Sequence, residues 1–223
     1  MKKKIINSIL IFILLSSVVL CFTGCELNKN NSNSDDNSQN NESEKTYSLD
    51  SNDSFYVMIN GTKFVAGDKI SSVSKVNLKL RDKDLDENIP KNRYLMAKPI
   101  INSDNKEVCK FVALNSTDNT IKYSDAVIGG FEVGDINFSK LSSETLALNI
   151  EVAGGLKLGS SYEDIVKVFG EPHFKNEFKA DEKYKRPAYT VYTYSKGYKG
   201  YKFIVDDSGK VSQIEWTNYS YNR

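Results

Sequence analysis

Nineteen consecutive residues, Asn28 to Thr46, carry no apolar side chain, and this gap decides where a core can be built. They comprise seven Asn, four Ser, four acids, two Lys, one Gln and one Thr. Such a stretch buries nothing that would offset the entropy lost on ordering, so the sequence predicts a disordered linker. As a flexible coil it spans about 25 Å. Any core must come from Tyr47 to Arg223, 177 residues, enough for one domain or two small ones.

On the N-terminal side of the linker, Met1-Lys2-Lys3-Lys4 leads into an apolar run that closes on Phe22-Thr23-Gly24-Cys25. A basic start, an apolar segment and small residues before a cysteine form an export signal. This one resembles the bacterial lipoprotein signal: Thr23, Gly24 and Cys25 fit, and Phe22 stands where Leu is usual. The resemblance implies cleavage between Gly24 and Cys25, a diacylglycerol on the Cys25 sulfur, and a lipid anchor that includes palmitate-type chains. One acyl chain binds a membrane marginally, at ~0.8 kcal/mol per buried CH2, whereas two hold it stably. The expected location is the extracytoplasmic side of the cell membrane. The rival is an uncleaved anchor, since Ile5 to Gly24 is long enough to span a bilayer. Asn7, Ser8, Ser16 and Ser17 thin that run and argue against it. Cys21 competes poorly with Cys25 because the bulky Leu20 precedes it. The expected organisation is signal 1–24, lipidated cysteine and linker 25–46, a first module 47–140 and a second 141–223.

Cleavage removes three lysines and no acid, taking the net charge from +1 to +1 − 3 = −2. A nearly neutral chain is a poor nucleic-acid binder, and none is expected as a partner. Cys109 is then the only thiol that can be free, so no disulfide framework forms within the chain. It sits in Val108-Cys109-Lys110-Phe111-Val112, which reads as a strand, and is expected to be a buried structural thiol.

The plainest local element lies between Ser160 and Pro172. Ser160 reads as an N-cap with Glu163 completing a capping box. Tyr162, Ile165, Val166 and Phe169 fall on one helical face. Gly170 and Pro172 end the helix. Strands are expected at Ala188 to Tyr194, Lys199 to Val205 and Lys210 to Thr217, with Asp206-Asp207-Ser208-Gly209 turning between the last two. Parity then places Tyr201, Phe203 and Val205 on one face with Ser212, Ile214 and Trp216. The earlier half reads likewise. Two strand pieces flank Asn60-Gly61, and Asp68 caps a weak helix carrying Ile70, Val73 and Val76. Strands follow at Arg93 to Ile101, Glu107 to Leu114 and Ala126 to Val133, and Leu146 to Val152 leads into the Ser160 helix. Strand, short helix and three strands thus occur twice. The expected fold class is α+β, with two helix-on-antiparallel-sheet modules in tandem.

Gly159-Ser160-Ser161, Phe169-Gly170-Glu171-Pro172, Tyr192, Tyr194, the run Phe203 to Val211 and Ile214 together resemble the small lipoprotein module of the outer-membrane barrel-assembly machinery. That module is similar in fold to each half of the beta-lactamase inhibitory protein, where a helical layer packs on a four-stranded antiparallel sheet. The likeness covers about Gly155 to Trp216. The layout as a whole, linker included, is similar to surface lipoproteins of clostridia and related bacteria. Such cells have no outer membrane, so the barrel-assembly role is not carried over. The inhibitor's contact residues lie in loops that do not align with this sequence, so inhibition is an analogy only.

Catalytic and metal-binding patterns are sparse. His173, the single histidine, has no His or Cys near it in sequence, so no metal site is expected. Asp82, Asp84 and Asp86 begin like a calcium loop, but Glu87 and Arg93 occupy the positions that need Gly and Glu. Gly154, Gly155 and Gly159 lack the following Lys of a phosphate loop, and no cofactor is expected. One cluster stands out: eight of 13 tyrosines follow position 183, and Phe174 to Lys202 holds eight bases against three acids. Tyr192, Tyr194, Lys196, Tyr198 and Lys199 therefore form the candidate contact surface, for a protein or an anionic cell-wall polymer. The expected function is a non-enzymatic, membrane-tethered binding lipoprotein. An envelope enzyme with an acidic site and a solute-binding lipoprotein are the alternatives.

Overall fold

Segments in which Val, Ile, Phe and Tyr alternate with polar residues recur among the described residues, and they assemble into strands. A computed structural model describes residues 47–136 and 141–220. The expected export signal with Gly24 and Cys25, and the expected linker, lie outside the described residues. The elements, in order, are β1 (Tyr56–Ile59), β2 (Thr62–Val65), β3 (Lys79–Leu80), β4 (Asn88–Ile89), β5 (Lys98–Ile101), β6 (Glu107–Leu114), β7 (Ile121–Lys122) and β8 (Val127–Gly134). After these come α1 (Ser143–Ala147), β9 (Ile150–Val152), α2 (Tyr162–Phe169), β10 (Phe174–Phe178), β11 (Tyr189–Lys196), β12 (Lys199–Asp206) and β13 (Val211–Asn218). A 3-10 turn spans Ile70–Val76. The fold is α+β and mostly antiparallel sheet.

Eight strands form one sheet in the order β10-β11-β12-β13-β8-β6-β5-β3, and every pairing in it is antiparallel. The strands after residue 141 fill one half and those before residue 136 the other, joined where β13 pairs with β8. A smaller sheet, β2-β1-β9, and the helix α2 cover one face. Across that face the aromatic rings are continuous. Phe55 stacks on Tyr201 at 5.4 Å, Phe64 meets Phe111 at 6.3 Å, and Phe169 reaches Tyr201 at 4.9 Å. Phe203, Ile214, Phe131 and Trp216 are all buried beneath this layer. Among the described residues no helix is long and apolar enough to cross a membrane.

The parity argument holds along most of β12 and β13: Tyr201 pairs with Trp216 and Phe203 with Ile214. A bulge between Ile204 and Val205 then sets Val205 opposite Val211 rather than beside Ser212. The helix begins one residue later than expected. Ser161 is its N-cap, and its box partner is Asp164, not Glu163. Ser160 instead accepts the Lys157 N–H in the preceding turn. The packed face is also rotated. Ile165 is buried, and Tyr162, Val168 and Phe169 lean on the core, with Val168 in the place expected of Val166. Asp68 does not cap a helix, because its carboxylate accepts the Val65 N–H at 2.9 Å and closes the turn after β2. The strand expected over Arg93 to Ile101 is confined to β5, and part of Leu146 to Val152 is the end of α1.

Gly154 explains the rotation of α2. Its backbone has φ +71°, and a Cβ there would lie 2.5 and 2.6 Å from the two methyls of Val168. A valine in a helix strongly prefers one χ1 rotamer, so yielding this space is costly. Gly154→Ala is expected to cost about 1–3 kcal/mol, from the left-handed backbone and overpacking together. Urea unfolding of the two proteins measures it.

Candidate binding site

The β11–β12 hairpin turns through Gly197-Tyr198, with positive φ (59°) at the first of the two, where a two-residue hairpin favours glycine. Alternation along β11 then sends Tyr192 and Tyr194 toward α2. Tyr192 stacks on Tyr162 at 4.3 Å and is 7% exposed. Tyr194 is 2% exposed, lies 5.3 Å from Phe169, and donates its hydroxyl to Gly170 O at 2.9 Å. These two rings are core, not contact surface, because α2 covers their face. Lys196 pairs with Asp50 at 2.6 Å, and Lys199 donates to Asn52 Oδ1 at 2.6 Å. Both lysines therefore tie the hairpin to the segment before β1. Of the five residues singled out in sequence, Tyr198 alone presents its ring outward, 57% exposed.

The other face of the sheet carries a groove of about 370 Å³ beside this turn. Tyr198 and Tyr219 stand at one end, with Lys202, Glu215 and Thr217 along the wall. Tyr219 N–H donates to Tyr198 O at 3.2 Å, and the Tyr219 ring stacks on Tyr94 at 4.6 Å. Burial pushes the Tyr219 hydroxyl up to about 12, with Tyr94 and Glu215 adding to it, so this group stays a hydrogen-bond donor at ordinary pH. Gly200 lines the same groove, and a Cβ there would lie 2.6 Å from Tyr194 O.

Next to the groove a row of charges crosses four strands. Lys202 pairs with Glu215 at 2.6 Å, Glu215 stands opposite Glu132, and Lys110 pairs with Glu132 at 2.6 Å. Two carboxylates directly opposed repel each other, and a lysine on each flank offsets that. Burial pulls the Lys110 ammonium down, but the Glu132 hydrogen bond with the charges of Glu132, Glu107 and Glu215 outweighs it, and the net shift is upward.

Several carboxylates elsewhere are engaged in structural pairs. Asp84 accepts two bonds from Arg81, and Asp86 pairs with Lys122 at 2.8 Å. The Lys106 hydrogen bond pushes Glu144 down to about 2. That direction is opposite to the raised value a general acid requires. His173 accepts the Ser195 N–H on Nδ1 at 2.9 Å. Among the described residues no group of three or more His, Cys, Asp or Glu is placed to hold a metal.

Cys109 is 3% exposed, and burial pushes its thiol well up. It is therefore expected to resist alkylation at pH 8 in the folded protein and to react once urea unfolds it. Site-resolved mass spectrometry of labelled protein reads this out.

Sequence reasoning passed over Lys202, Glu215, Thr217 and Tyr219. The available signal was parity: Lys202, Glu215 and Thr217 alternate with the buried Tyr201, Phe203 and Trp216. No family model, curated protein or solved structure matches this chain.

Proposed function

We propose that this chain is a lipoprotein, anchored through Cys25 on the outer side of the cell membrane, that binds a protein or a cell-envelope polymer and catalyses nothing. The observation that carries the binding role is the groove on the uncovered face, where Tyr198 and Tyr219 stand beside Lys202, Glu215 and Thr217. Tyrosine offers a flat apolar face and a hydroxyl at small entropic cost, which suits a sugar or peptide segment lying across strands. Both signs of charge border the groove, matching a polar ligand without strong net charge better than a polyanion. The spans 47–140 and 141–223 are read as two tandem modules of the inhibitory-protein kind. The division of the sheet into four strands from each supports that reading.

Two experiments test the halves of this proposal separately. Cys25→Ala is expected to leave the signal uncut and to abolish incorporation of labelled fatty acid. A mature N-terminus found by mass spectrometry at any residue other than Cys25 overturns the anchor. Tyr198→Ala combined with Thr217→Arg removes one aromatic wall and fills the groove. Retention on purified cell wall, or capture of the partner from intact cells, is expected to fall about tenfold with the melting temperature nearly unchanged. Unchanged retention overturns the binding face.

A further inference from the structure

Strand β10 ends the eight-stranded sheet, and all five of its residues, Phe174-Lys175-Asn176-Glu177-Phe178, are exposed. It pairs with β11 over its whole length without a register shift. The Ser195 N–H bonds His173, so odd-numbered residues of β11 turn their backbone groups toward β10. Phe174, Asn176 and Phe178, opposite Thr193, Val191 and Tyr189, therefore spend their backbone groups inward. Lys175 and Glu177 turn theirs out, away from the sheet. Such an edge is a template for another strand unless something blunts it. Here there is no proline and no bulge, and the two edge charges are of opposite sign.

The order of residues in β10 is self-complementary. When two copies meet antiparallel about Asn176, Lys175 of each faces Glu177 of the other, and Phe174 of each faces Phe178. Four backbone hydrogen bonds form from the outward groups of Lys175 and Glu177. The two Phe–Phe contacts and the Asn176–Asn176 contact fall in the non-hydrogen-bonded positions, where side chains approach most closely. Phe178 already stacks on Tyr189 at 4.7 Å, so an arriving Phe174 extends an existing aromatic layer. The Lys175–Glu177 pair at 2.7 Å within one strand exchanges for two pairs between strands. We infer that β10 is a homodimerisation edge, joining two copies of this chain into one continuous sheet about a two-fold axis at Asn176. The alternating charges repel strands of other patterns and accept this one.

The full chain in detergent is the material for the test. Sedimentation equilibrium is expected to show a monomer–dimer equilibrium. Lys175→Glu or Glu177→Lys alone sets like charges opposite each other twice per dimer and should weaken association about tenfold. The double reversal Lys175→Glu with Glu177→Lys restores complementarity and should return the dimer to within about threefold of the original. Both side chains are exposed, so circular dichroism should be unchanged in all variants. Independently, Asn176→Cys should give a disulfide-linked dimer under mild oxidation. Its Cα atoms would lie about 4.5 Å apart across the axis, within disulfide range. Met96→Cys, at another exposed position, should not. A monomer at every concentration, a dimer indifferent to single charge reversal, failure of the double reversal to restore it, or equal coupling of the two cysteines overturns the inference.

Discussion

Phe203→Ala is expected to lower the unfolding free energy by about 3–5 kcal/mol, the range for removing a fully buried aromatic ring. Phe203 is 0% exposed and sits at the junction of three aromatic neighbours. Tyr201 stacks on it at 5.7 Å, Phe169 of α2 lies at 5.9 Å, and Tyr194 meets it edge-on at 6.1 Å. Loss of the ring leaves a cavity that strands on both sides hold open, because their backbones are fixed by the pairing with β11 and β13. For a domain of this size the midpoint should fall by roughly 10 °C. Lys202→Ala, one residue away on the uncovered face, is the control. It loses a half-exposed ion pair and should cost about 1 kcal/mol or less. Urea denaturation with an unchanged slope for both variants measures the difference. Equal costs for positions 202 and 203 would contradict the assignment of faces. Phe169→Ala should cost less than Phe203→Ala, since Phe169 is only partly buried.

Asn115→Ala should cost about 2–4 kcal/mol, a large effect for a residue that reads as ordinary loop. Asn115 is 0% exposed. Its side-chain amide donates to Ile89 O at 2.9 Å, Pro90 O at 3.1 Å and Asn119 O at 2.7 Å. Its carbonyl oxygen accepts the Thr117 N–H at 2.9 Å and the Thr117 hydroxyl at 2.8 Å. Alanine strands these carbonyls and the Thr117 donors, and water replaces only the partners nearest the surface. Asn115→Asp should be nearly as damaging, because a carboxylate would face three carbonyl oxygens. Hydrogen exchange is expected to rise at residues 117–119 and through β4 and β7, the short strands that this amide clamps together. Exchange unchanged in those segments would show that the side chain is not their tie.

Much of the secondary structure was legible because it is local. Strand β6 occupies the expected residues, Glu107–Leu114. Both residues of the Asn60-Gly61 turn have the positive φ that such a hairpin needs. The α2 helix ends at Gly170 as its sequence indicates, and only its cap moves by one residue. Capping, turn chemistry and period-two alternation each act within a few residues, so a short window contains their causes. Strand β10 escaped notice for the same reason. Phe-Lys-Asn-Glu-Phe is charged and short, and it becomes a strand because β11 offers it a backbone to pair with.

The candidate site was less legible. Alternation established that Tyr192 and Tyr194 share one side of β11 and that Tyr189 and Val191 share the other. It did not say which side would be covered. That is decided by α2 and by the β2-β1-β9 sheet, whose strands come from residues 56–65 and 150–152. Covering the tyrosine side buries Tyr192 and Tyr194, two of the five residues that composition had marked as contacts, and leaves Tyr198, Lys202, Glu215 and Thr217 bordering the groove. In the same way Lys196 and Lys199 look like free basic charge until Asp50 and Asn52 arrive from far along the chain. The sequence by itself determined where this protein can have a core, where most of the longer strands lie, and which residues of a strand must share a face. The tertiary structure alone decided which face meets water, because a strand's two sides are equivalent until a distant layer removes one of them from solvent.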